Sequence, residues 1–568
     1  MTDILERARV WVAGDPDPET RAVLEAMIES EDTSGLDRAM GGTLSFGTAG
    51  IRGEVGPGSN RMNRAVVIRT TRGLADYLIS EHGGPPKAGV ILGFDARPSS
   101  RQFAEDAAGV LAGAGIQVGY FPEVTPTPLV AYAAKHYEAA AAVVVTASHN
   151  PPADNGYKVY GANAAQIIPP VDIDIAAAID RVGPANEVQR VEAAFSGSSD
   201  LVTRIPEDVY EGYRAEVNAA RPNPQVSDFK IVYTPLHGVG SRILNRLCAQ
   251  ANHTGIITVP EQEAPDGRFP TVSFPNPEEP GALDLALALA KKEDAGLLIA
   301  NDPDADRLAA AVPSGGEWRL LSGNELGALL GDYVLRYWTE PATPIVVNSV
   351  VSSPMLGEIA KRRNARHEVT LTGFKWIINA GLALETRGEG SFAFGYEEAL
   401  GYSVGKTVRD KDGMSAALVL CDLVAQERAQ GRDLLDRLYD LWAEVGLWVS
   451  SQYSVGRSGP NGQQEISSAV EQLAANPPKN VGDHEVVAVI DYRRGAGGRP
   501  IWLGEQDLIE LELADVGRVL VRPSGTEPKI KVYVDLQGDP GTSPDESHRF
   551  LTATAAEMAK EVGEGLAF

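Results

Sequence analysis

Strand-like apolar runs alternate with helix-like segments through most of this chain, and that alternation limits the folds it can adopt. Residues 91–94 predict a buried strand, and residues 99–114 predict a helix capped by Ser99 or Ser100. Residues 116–121 predict the next strand. A strand, a helix and a second strand in this order are typical of parallel pairing, so we expect mostly parallel sheets.

The same rhythm starts again at Lys230 and near Ile345, and it changes after about Gln452. From there the sequence has several strand-like runs and a final helix near residues 552–561, which indicates a separate α+β domain. A chain of 568 residues is too long for one hydrophobic core. We predict an α/β protein with three similar mixed or parallel α/β sandwich domains and a C-terminal α+β domain. The expected domains are residues 1–205, 206–325, 326–445 and 446–568.

The composition excludes several classes of partner. Lys and Arg number 51 against 77 Asp and Glu, and the resulting net charge of −26 repels nucleic acid and anionic membranes. The two cysteines, Cys248 and Cys421, offer no disulfide framework, and the first residues do not resemble a signal peptide. No apolar run approaches the roughly 18 residues of a membrane span. We expect a cytoplasmic protein without nucleic-acid or membrane partners.

Two strand-like runs end in polar turns that carry reactive groups. The run of valines at 143–145 leads into Thr-Ala-Ser-His-Asn, which places Ser148 and His149 after a strand. The run at 296–300 leads into a loop with three aspartates, Asp302, Asp304 and Asp306. If the two loops meet, a hydroxyl nucleophile and a set of carboxylates are available for phosphoryl transfer through serine.

The three aspartates alternate along the chain, and in an extended segment this spacing puts their carboxylates on one side. Oxygen ligands favour Mg²⁺, Mn²⁺ or Ca²⁺ over zinc. An EF-hand is excluded because Arg307 occupies its glycine position and Pro313 its glutamate position. The alternative is a solvated acidic turn. It is disfavoured because ligands in α/β folds bind at the carboxyl ends of strands.

Ser148 has a simpler alternative, since a lone serine in a turn is more often a local hydrogen-bonding residue. An esterase is disfavoured because no Gly-x-Ser-x-Gly motif is present. On an extended chain His149 would point away from Ser148, which would make it a poor base. A phosphorylated serine does not need a neighbouring histidine, because a metal and an acceptor held in line are sufficient.

Two later loops suit a sugar phosphate. Residues 522–528 combine an arginine, two hydroxyls and a glycine in one turn, which favours phosphate binding over a structural β-turn. Residues 394–402 place two adjacent carboxylates beside aromatic side chains, which suits sugar hydroxyls, although a surface turn would look similar. Lys158 and Lys411 are candidates for proton transfer or phosphate contact, although each alone is more often a surface lysine. No nucleotide-binding glycine motif is evident.

These four loops, in this order, resemble those of the α-D-phosphohexomutase superfamily. Residues 146–151 resemble its phosphoserine loop, 302–307 its metal loop, 395–401 its sugar loop and 522–528 its phosphate loop. Two N-terminal stretches are similar as well. Residues 46–53 match the superfamily, and residues 60–63 resemble the branch with bacterial phosphoglucomutases and the mammalian phosphoglucomutase-2 type.

The resemblance implies four domains around a central cleft, with one loop from each, and one Mg²⁺ per chain. The implied metal ligands are the phosphate on Ser148 and the side chains of Asp302, Asp304 and Asp306. The implied catalytic residues are Ser148, Lys158, Lys411, Arg52, His149 and Arg307. The implied substrate-binding residues are Thr372, Gly373, Glu397, Glu398, Arg522, Ser524, Gly525 and Thr526. One departure concerns a serine that is common in the sugar loop, because Ala399 stands in its place and leaves substrate preference open.

The function implied is a phosphosugar mutase that interconverts sugar 1-phosphate and 6-phosphate, with glucose phosphates as the first candidates. Phosphomannomutase and phosphopentomutase are the alternatives within the superfamily. A sugar-phosphate phosphatase and a non-catalytic sugar-phosphate sensor are the alternatives from other classes. A sugar 1,6-bisphosphate is implied as intermediate and activator. The expected partner is the small phosphosugar alone, on a monomer or weak homodimer.

Overall fold

Four β-sheets organise the part of the chain described by the computed structural model, which covers residues 2–457, 462–523 and 529–566. Three helices precede the first sheet: α1 (Thr2–Gly14), α2 (Pro18–Glu29) and α3 (Thr33–Met40). They pack on one another through a small apolar cluster that includes Leu24 and Leu36. The sequence analysis did not predict these helices.

The first sheet has six strands in the order β1-β5-β4-β2-β3-β6. Its elements in chain order are β1 (Ile51–Glu54), α4 (Arg64–His82), β2 (Val90–Phe94), α5 (Ser100–Gly113), β3 (Val118–Tyr120), α6 (Thr127–His136), β4 (Ala141–Val145), β5 (Asp154–Tyr160), α7 (Val171–Asp180) and β6 (Val202–Arg204). Strands β4, β2, β3 and β6 are parallel, whereas β5 is antiparallel to both β4 and β1. The predicted parallel core is confirmed, with an antiparallel edge added.

The second sheet has five strands in the order β11-β10-β9-β7-β8. The elements are α8 (Glu207–Ala219), β7 (Ile231–Thr234), α9 (Ser241–Gln250), β8 (Ile256–Thr258), α10 (Pro260–Glu263), α11 (Asp284–Glu293), β9 (Leu297–Ala300), β10 (Ala309–Ser314) and β11 (Glu317–Leu320). Strands β9, β7 and β8 are parallel, and β10 and β11 are antiparallel additions. In both sheets a reactive loop connects a parallel strand to an antiparallel neighbour: β4 to β5, and β9 to β10.

The third sheet has four strands in the order β13-β12-β14-β15, with β12 parallel to β13 and β14. The elements are α12 (Gly323–Arg336), β12 (Pro344–Ser349), α13 (Met355–Arg362), β13 (Arg366–Thr370), α14 (Phe374–Thr386), β14 (Ser391–Glu397), β15 (Gly401–Val404), α15 (Gly413–Ala429) and α16 (Leu434–Val445). This confirms a third parallel α/β arrangement.

The fourth sheet is antiparallel throughout, in the order β16-β21-β20-β19-β18-β17. The elements are β16 (Leu447–Gly456), α17 (Gly462–Ala475), β17 (Asn480–Val481), β18 (His484–Asp491), β19 (Ile509–Leu513), β20 (Gly517–Pro523), β21 (Lys529–Gly538) and α18 (Pro544–Gly565). The change in sequence pattern after Gln452 therefore corresponds to a change of architecture. The predicted final helix is α18, which is longer than expected.

The chain divides into two compact units. One unit comprises residues 1–320 with 403–421 and contains the first two sheets, and the other comprises residues 321–402 with 422–568 and contains the fourth sheet and most of the third. The four expected domain boundaries stay predictions. Over the described residues, none of the helices combines the length and the apolar character needed to cross a membrane.

Candidate active site

Ser148 lies in the turn between β4 and β5, and its backbone is in the left-handed region with φ +51°. The β-branched valines keep β4 extended and buried up to Val145, after which the chain turns. The Ser148 N–H donates a hydrogen bond to Thr146 Oγ1 at 2.8 Å, which stabilises the turn. A positive φ at a non-glycine residue is strained, and such residues cluster at functional sites.

A buried arginine, Arg97, holds the backbone of this turn. Its guanidinium donates four hydrogen bonds of 2.6–2.8 Å to the carbonyl oxygens of Ser148, Asn150, Pro151 and Asp154. Because one planar group bonds all four carbonyls, their relative positions are fixed. The sequence analysis missed Arg97. Its place shortly after the buried strand β2 was the available signal, since ligand sites in α/β folds lie at the carboxyl ends of strands.

Asp95 keeps Arg97 in position. Its carboxylate accepts hydrogen bonds from Arg97 Nε at 3.2 Å, Thr146 Oγ1 at 2.7 Å and Ser100 Oγ at 2.5 Å. Asp95 therefore joins the start of α5 to the Ser148 turn. Ser99 is the N-cap residue of α5, as predicted, but its side chain makes no capping hydrogen bond, and the Ser100 hydroxyl donates to Asp95.

The acidic loop connects β9 to β10, and its three aspartates, Asp302, Asp304 and Asp306, are buried. One oxygen from each carboxylate lies within 4.8 Å of the other two. The carboxylates do not converge along an extended strand, as their spacing suggested, because the loop turns and Ala305 has φ +57°. The turn gathers a compact set of oxygen ligands.

The Ser148 turn and the acidic loop are in direct contact. The Ser148 hydroxyl donates a hydrogen bond to Asp302 Oδ2 at 2.8 Å, across 154 positions of sequence. Ser148 is itself 4% exposed. The fold thus brings the hydroxyl against the carboxylate cluster inside one unit, which is the condition that phosphoryl transfer through this serine requires.

His149 lies close to the Ser148 hydroxyl, so the expectation that it points away is wrong. Its Nδ1 is 3.1 Å from Ser148 Oγ. The expectation assumed an extended chain, whereas the positive φ of Ser148 breaks the strand geometry. Burial, together with the charges of Arg307 and Arg52, lowers the pKa of His149 well below its usual value. The imidazole is therefore neutral at pH 7.

Two lysines and a threonine contact the same carboxylates. Lys158 Nζ, on β5, donates hydrogen bonds to Asp304 Oδ2 at 2.6 Å and Asp306 Oδ2 at 3.1 Å. Lys411 Nζ lies 3.4 Å from Asp306 Oδ2. Thr127, the first residue of α6, donates from Oγ1 to Asp304 Oδ2 at 2.7 Å. The sequence analysis missed Thr127, because a threonine at the start of a helix matches no catalytic motif.

Burial and mutual repulsion disfavour charge on neighbouring carboxylates, and nearby cations favour it. Burial and the charges of Asp304 and Asp306 raise the pKa of Asp302 well above its usual value. Burial would also raise the pKa of Asp304, but the charge of Lys158 and hydrogen bonds to the carboxylate lower it. Burial would lower the pKa of Lys158, but the aspartates outweigh that effect and raise it. The raised pKa of Asp302 favours its protonated form, and a divalent cation bound to the three aspartates would favour the carboxylate instead.

The residues present fit a hard divalent cation. Asp304 Oδ1 and Asp306 Oδ1 are buried, and neither has a hydrogen-bond partner within the described ranges. An unsatisfied buried carboxylate oxygen costs free energy, and metal coordination would recover it. The set contains only oxygen donors, which favours Mg²⁺ or a similar ion over zinc.

Arg52 and Arg307 make contacts with the Ser148 turn and the acidic loop, respectively. Arg52 Nη1 donates a hydrogen bond to Asn150 Oδ1 at 2.8 Å, just beyond Ser148 in the turn. The Arg307 N–H donates to Asp302 Oδ1 at 3.0 Å, and its guanidinium lies 3.5 Å from the carboxylate of Glu278. All six residues proposed as catalytic from the sequence therefore belong to the first unit.

The residues predicted to bind the sugar belong to the second unit. Glu397 ends β14, and its Oε1 accepts a hydrogen bond from the Gly373 N–H at 2.7 Å. Glu398 Oε2 accepts hydrogen bonds of 3.1 Å from the hydroxyls of Ser349 and Ser352. Burial raises the pKa of Glu398 above its usual value.

The residues predicted to bind phosphate are only partly described. Arg522 lies on β20, and its positive charge opposes the rise in the pKa of Glu398. Ser524, Gly525 and Thr526 lie outside the described residues, so their role stays a prediction. Thr372 precedes Gly373, and its N–H and hydroxyl both bond the side-chain amide of Gln506.

A buried serine hydroxyl, three carboxylates that fit a divalent cation and two lysines are the groups that a phosphoryl-transfer site requires. Four stretches of the chain match domain families of one group of enzymes. Residues 43–185, 210–315 and 322–444 match the alpha/beta/alpha domains I, II and III of phosphoglucomutase/phosphomannomutase, and residues 465–541 match its C-terminal domain. This agreement confirms the predicted fold class.

Curated relatives are similar over nearly their whole length. A probable phosphomannomutase of Haemophilus influenzae is 42% identical over 86% of this chain and 95% of that protein. Human phosphopentomutase is 36% identical over 94% of this chain and 92% of that protein. A phosphoglucomutase of Staphylococcus haemolyticus is 33% identical over 91% of this chain and 95% of that protein.

A solved structure supports the same fold. A phosphoglucomutase/phosphomannomutase family protein from Burkholderia thailandensis superposes with a TM-score of 0.66 at 19% identity, over 91% of this chain and 97% of that chain. The chain belongs to the phosphoglucomutase/phosphomannomutase family of the α-D-phosphohexomutase superfamily. It is an isomerase of the mutase type, and metal binding is typical of this family.

Proposed function

We propose that this chain interconverts sugar 1-phosphates and sugar 6-phosphates, with glucose 1-phosphate and glucose 6-phosphate as its first substrates, through a phosphoserine at Ser148. The observation that carries the proposal is the 2.8 Å hydrogen bond from the Ser148 hydroxyl to Asp302, inside a buried cluster that also contains Asp304 and Asp306. Family membership supports the reaction class, since relatives over nearly the whole chain are named as mutases.

The three aspartates and the phosphate of phospho-Ser148 would hold one Mg²⁺, which would neutralise charge on the transferring phosphoryl oxygens. The bond between phosphorus and Ser148 Oγ breaks as a bond forms between phosphorus and the free hydroxyl oxygen of the substrate. The hydroxyl loses a proton and Ser148 Oγ gains one, so charge and atoms balance. His149 and Asp302 are the groups within hydrogen-bonding distance of Oγ.

We assign Lys158 and Lys411 to proton movement on the substrate side. Lys158 is held in its protonated form by Asp304 and Asp306, which raise its pKa. A protonated lysine can return a proton to a sugar oxygen when the second phosphoryl transfer regenerates phospho-Ser148. The half-buried Lys411 lies near the same carboxylates, and we assign it to proton transfer in the reverse direction of the reaction.

The bisphosphorylated sugar must present each of its two phosphates to Ser148 in turn, so the substrate has to bind in two orientations. Glu397 and Glu398 are assigned to the sugar hydroxyls, with Thr372 and Gly373 beside them. Arg522, Ser524, Gly525 and Thr526 are assigned to the phosphate that does not react. A trace of sugar 1,6-bisphosphate would restore the phosphoserine whenever the intermediate escapes.

A pentose phosphate is the second candidate substrate. Relatives named phosphopentomutase in human and phosphoribomutase in Saccharomyces cerevisiae are 36% and 34% identical over 94% of this chain. Ala399 also removes a hydroxyl that the superfamily often has in the sugar loop, and a loop with fewer polar contacts discriminates less between sugars. Mannose 1-phosphate stays a third candidate, because of the relative from Haemophilus influenzae.

The test is a comparison of kcat/KM for glucose 1-phosphate, mannose 1-phosphate and ribose 1-phosphate, each with Mg²⁺ and a trace of the matching bisphosphate. We expect the wild-type enzyme to have its highest kcat/KM with glucose 1-phosphate. We expect Ser148→Ala to show no detectable turnover of any of the three substrates. A higher kcat/KM for ribose 1-phosphate than for glucose 1-phosphate would identify the pentose phosphate as the preferred substrate. Stoichiometric release of inorganic phosphate would identify a phosphatase instead.

We also expect a cytoplasmic monomer or weak homodimer. The two cysteines, Cys248 and Cys421, are buried free thiols, which suits a reducing compartment. Sedimentation across a range of protein concentrations would separate a monomer from a weak dimer.

A further inference from the structure

A segment of the fourth-sheet region contacts the residues predicted to bind the sugar. Residues 501–508 precede β19 and begin with the one-turn helix Ile501–Leu503. The Leu371 N–H donates a hydrogen bond to the Trp502 carbonyl at 2.8 Å. Gln506 Nε2 donates to Thr372 Oγ1 at 2.5 Å. The 501–508 segment therefore bonds two consecutive residues at the start of the loop that leads into α14.

The side-chain amide of Gln506 bonds Thr372 at both of its polar groups. Its Nε2 donates to the hydroxyl, and its Oε1 accepts from the Thr372 N–H at 3.4 Å. The second bond is the longer and weaker of the two. A carboxamide offers a donor and an acceptor from one planar group, which methionine does not. Gln506 thus restrains both the backbone and the side chain of Thr372.

Gly373, the residue after Thr372, connects Thr372 to Glu397, the carboxylate predicted to bind the sugar. Gly373 has φ +112°, a conformation that side chains disfavour, and its N–H donates to Glu397 Oε1 at 2.7 Å. A hydrogen bond to a carboxylate is stronger than one between neutral groups and orients it. The orientation of the Glu397 carboxylate therefore depends on where Thr372 holds the peptide group of Gly373.

The 501–508 segment is itself firmly held, so it can act as a fixed support. The Trp502 side chain is 2% exposed, and the Arg387 guanidinium lies 5.3 Å from its ring centroid. The Gln506 N–H donates to the Tyr492 carbonyl at 3.2 Å, and Arg499 Nη2 donates to the carbonyls of Tyr492 and Gly504. These bonds fix both ends of the segment.

We propose that Gln506 is a positioning residue, which sets the orientation of Glu397 through Thr372 and Gly373 and thereby determines how well the enzyme distinguishes hexose from pentose phosphates. This inference rests on the proposed role of Glu397 in binding sugar hydroxyls. A carboxylate discriminates between sugars only when its oxygens are held at the right positions, because a mobile carboxylate can follow either substrate. Gln506 does not touch the substrate in this account and acts only through its neighbours.

The test compares Gln506→Met with wild-type enzyme, using kcat and KM for glucose 1-phosphate and ribose 1-phosphate. We expect KM for the preferred sugar to rise about tenfold, which corresponds to about 1.4 kcal/mol, with kcat changed less than about threefold. The ratio of the two kcat/KM values should move towards one. Gln452→Met, at an exposed glutamine of β16, is the matched control and should leave these values unchanged.

A double-mutant cycle separates positioning from general destabilisation. Thr372→Val removes the hydroxyl that Gln506 Nε2 bonds, so Gln506→Met and Thr372→Val break the same link. We expect the rise in KM of the double variant to be close to that of the larger single variant, rather than the product of both. Fully multiplicative effects would overturn the proposed link. Gln506→Asn, which shortens the side chain, replaces Gln506→Met in the cycle if that variant does not fold.

Glu397→Gln distinguishes failure of this inference from failure of the proposed function. If Glu397→Gln raises KM and Gln506→Met leaves KM and the substrate ratio unchanged, the positioning role is overturned while the function stands. If Glu397→Gln has no effect on KM or on the ratio, the role assigned to Glu397 fails first. A lower melting temperature in Gln506→Met with unchanged KM would identify a purely structural residue and overturn the inference.

Discussion

The positive φ of Ser148 would be unfavourable in an isolated turn, and its neighbours maintain it. Arg97 bonds the Ser148 carbonyl, and Thr146 accepts from the Ser148 N–H. The hydroxyl then has a fixed direction, towards Asp302. The proposed nucleophile therefore has a fixed direction before any substrate binds, which would lower the cost of reaching the reactive geometry.

The metal assignment predicts a large effect of Asp304→Asn. The substitution keeps the shape of the side chain, but it removes a negative charge from the carboxylate cluster and weakens its bond with Lys158. We expect kcat to fall at least about 100-fold and the affinity for Mn²⁺ to fall at least about tenfold, since a charged ligand is lost. Activity assays and calorimetric titration with Mn²⁺ measure the two effects. Undiminished activity of the wild-type enzyme in excess chelator would refute the metal assignment.

A second prediction concerns Arg97→Met, which removes the group that bonds four carbonyls of the Ser148 turn. The variant leaves Asp95 buried without its cationic partner, which costs about 3–5 kcal/mol in stability for a buried pair. We expect a lower melting temperature and a lower kcat, because the turn loses its support. Arg181→Met, at the exposed arginine that follows α7, serves as the control and should change neither value appreciably. Normal melting and turnover in Arg97→Met would show that the turn is stable by itself.

At the scale of elements, both reactive loops connect a parallel strand to an antiparallel neighbour, β4 to β5 and β9 to β10. The returning strand β5 places Lys158 beside the acidic loop that follows β9. An ordinary crossover would carry the chain away into a helix instead. The antiparallel pairing of β5 with β4 therefore lets two segments proposed as catalytic, the Ser148 turn and the strand with Lys158, follow each other in sequence.

The sequence predicted the elements that depend on local patterns. Strands β2, β9 and β12 and helix α5 were anticipated because apolar runs, helical periodicity and polar turns are local signals. The antiparallel pairing of β5 was not anticipated, because the direction of a strand depends on contacts between distant residues. The role of Arg97 was not anticipated either, because its partners are backbone carbonyls, which have no sequence signature. The direction of the His149 side chain was not anticipated because it depends on the φ of Ser148.

His367, on β13, provides a prediction for the pH dependence of stability. Burial lowers the pKa of His367 to about 4 from a usual value near 6.5, and the ring bonds Asn348 Oδ1 at 2.6 Å. The folded state therefore excludes a proton that the unfolded chain binds below pH 6.5, so stability falls as the pH falls towards 4. Between pH 7 and 5 we expect a loss of about 1–2 kcal/mol from this group, given its partial exposure.

His367→Gln should remove most of that loss. Urea unfolding gives the free energy of unfolding of wild type and variant at pH 7 and at pH 5. The decrease between pH 7 and pH 5 should be smaller in the variant than in wild type. His484→Gln, on β18 of the same unit, is the matched control. An equal pH dependence in wild type and His367→Gln would exclude His367 as the source.

The residues proposed for the chemistry and those proposed for sugar and phosphate binding belong to different compact units of the chain. The first contains Ser148, the aspartates and both lysines, and the second contains Glu397 and Arg522. Large chains with several cores often unfold in more than one step. The division predicts that ligands of the first unit stabilise that unit selectively.

Calorimetry with and without Mg²⁺ tests this division. A ligand at 100 times its Kd stabilises the folded state by about 2.7 kcal/mol, so we expect one unfolding transition to move to higher temperature while the other stays fixed. Asp304→Asn should abolish the shift, because it removes a proposed ligand of the metal. A uniform shift of all transitions, or the same shift in Asp304→Asn, would contradict selective binding in the first unit.

The central claim is that the hydroxyl of Ser148 carries the phosphoryl group during the reaction. The direct measurement is incubation with glucose 1,6-bisphosphate labelled in its phosphates, followed by rapid quenching and mapping of the labelled peptide. We expect label on Ser148, up to one per chain, that passes to glucose phosphate when unlabelled substrate is added and that is absent in Ser148→Ala. Label on another residue, or its appearance only as inorganic phosphate, would contradict the claim.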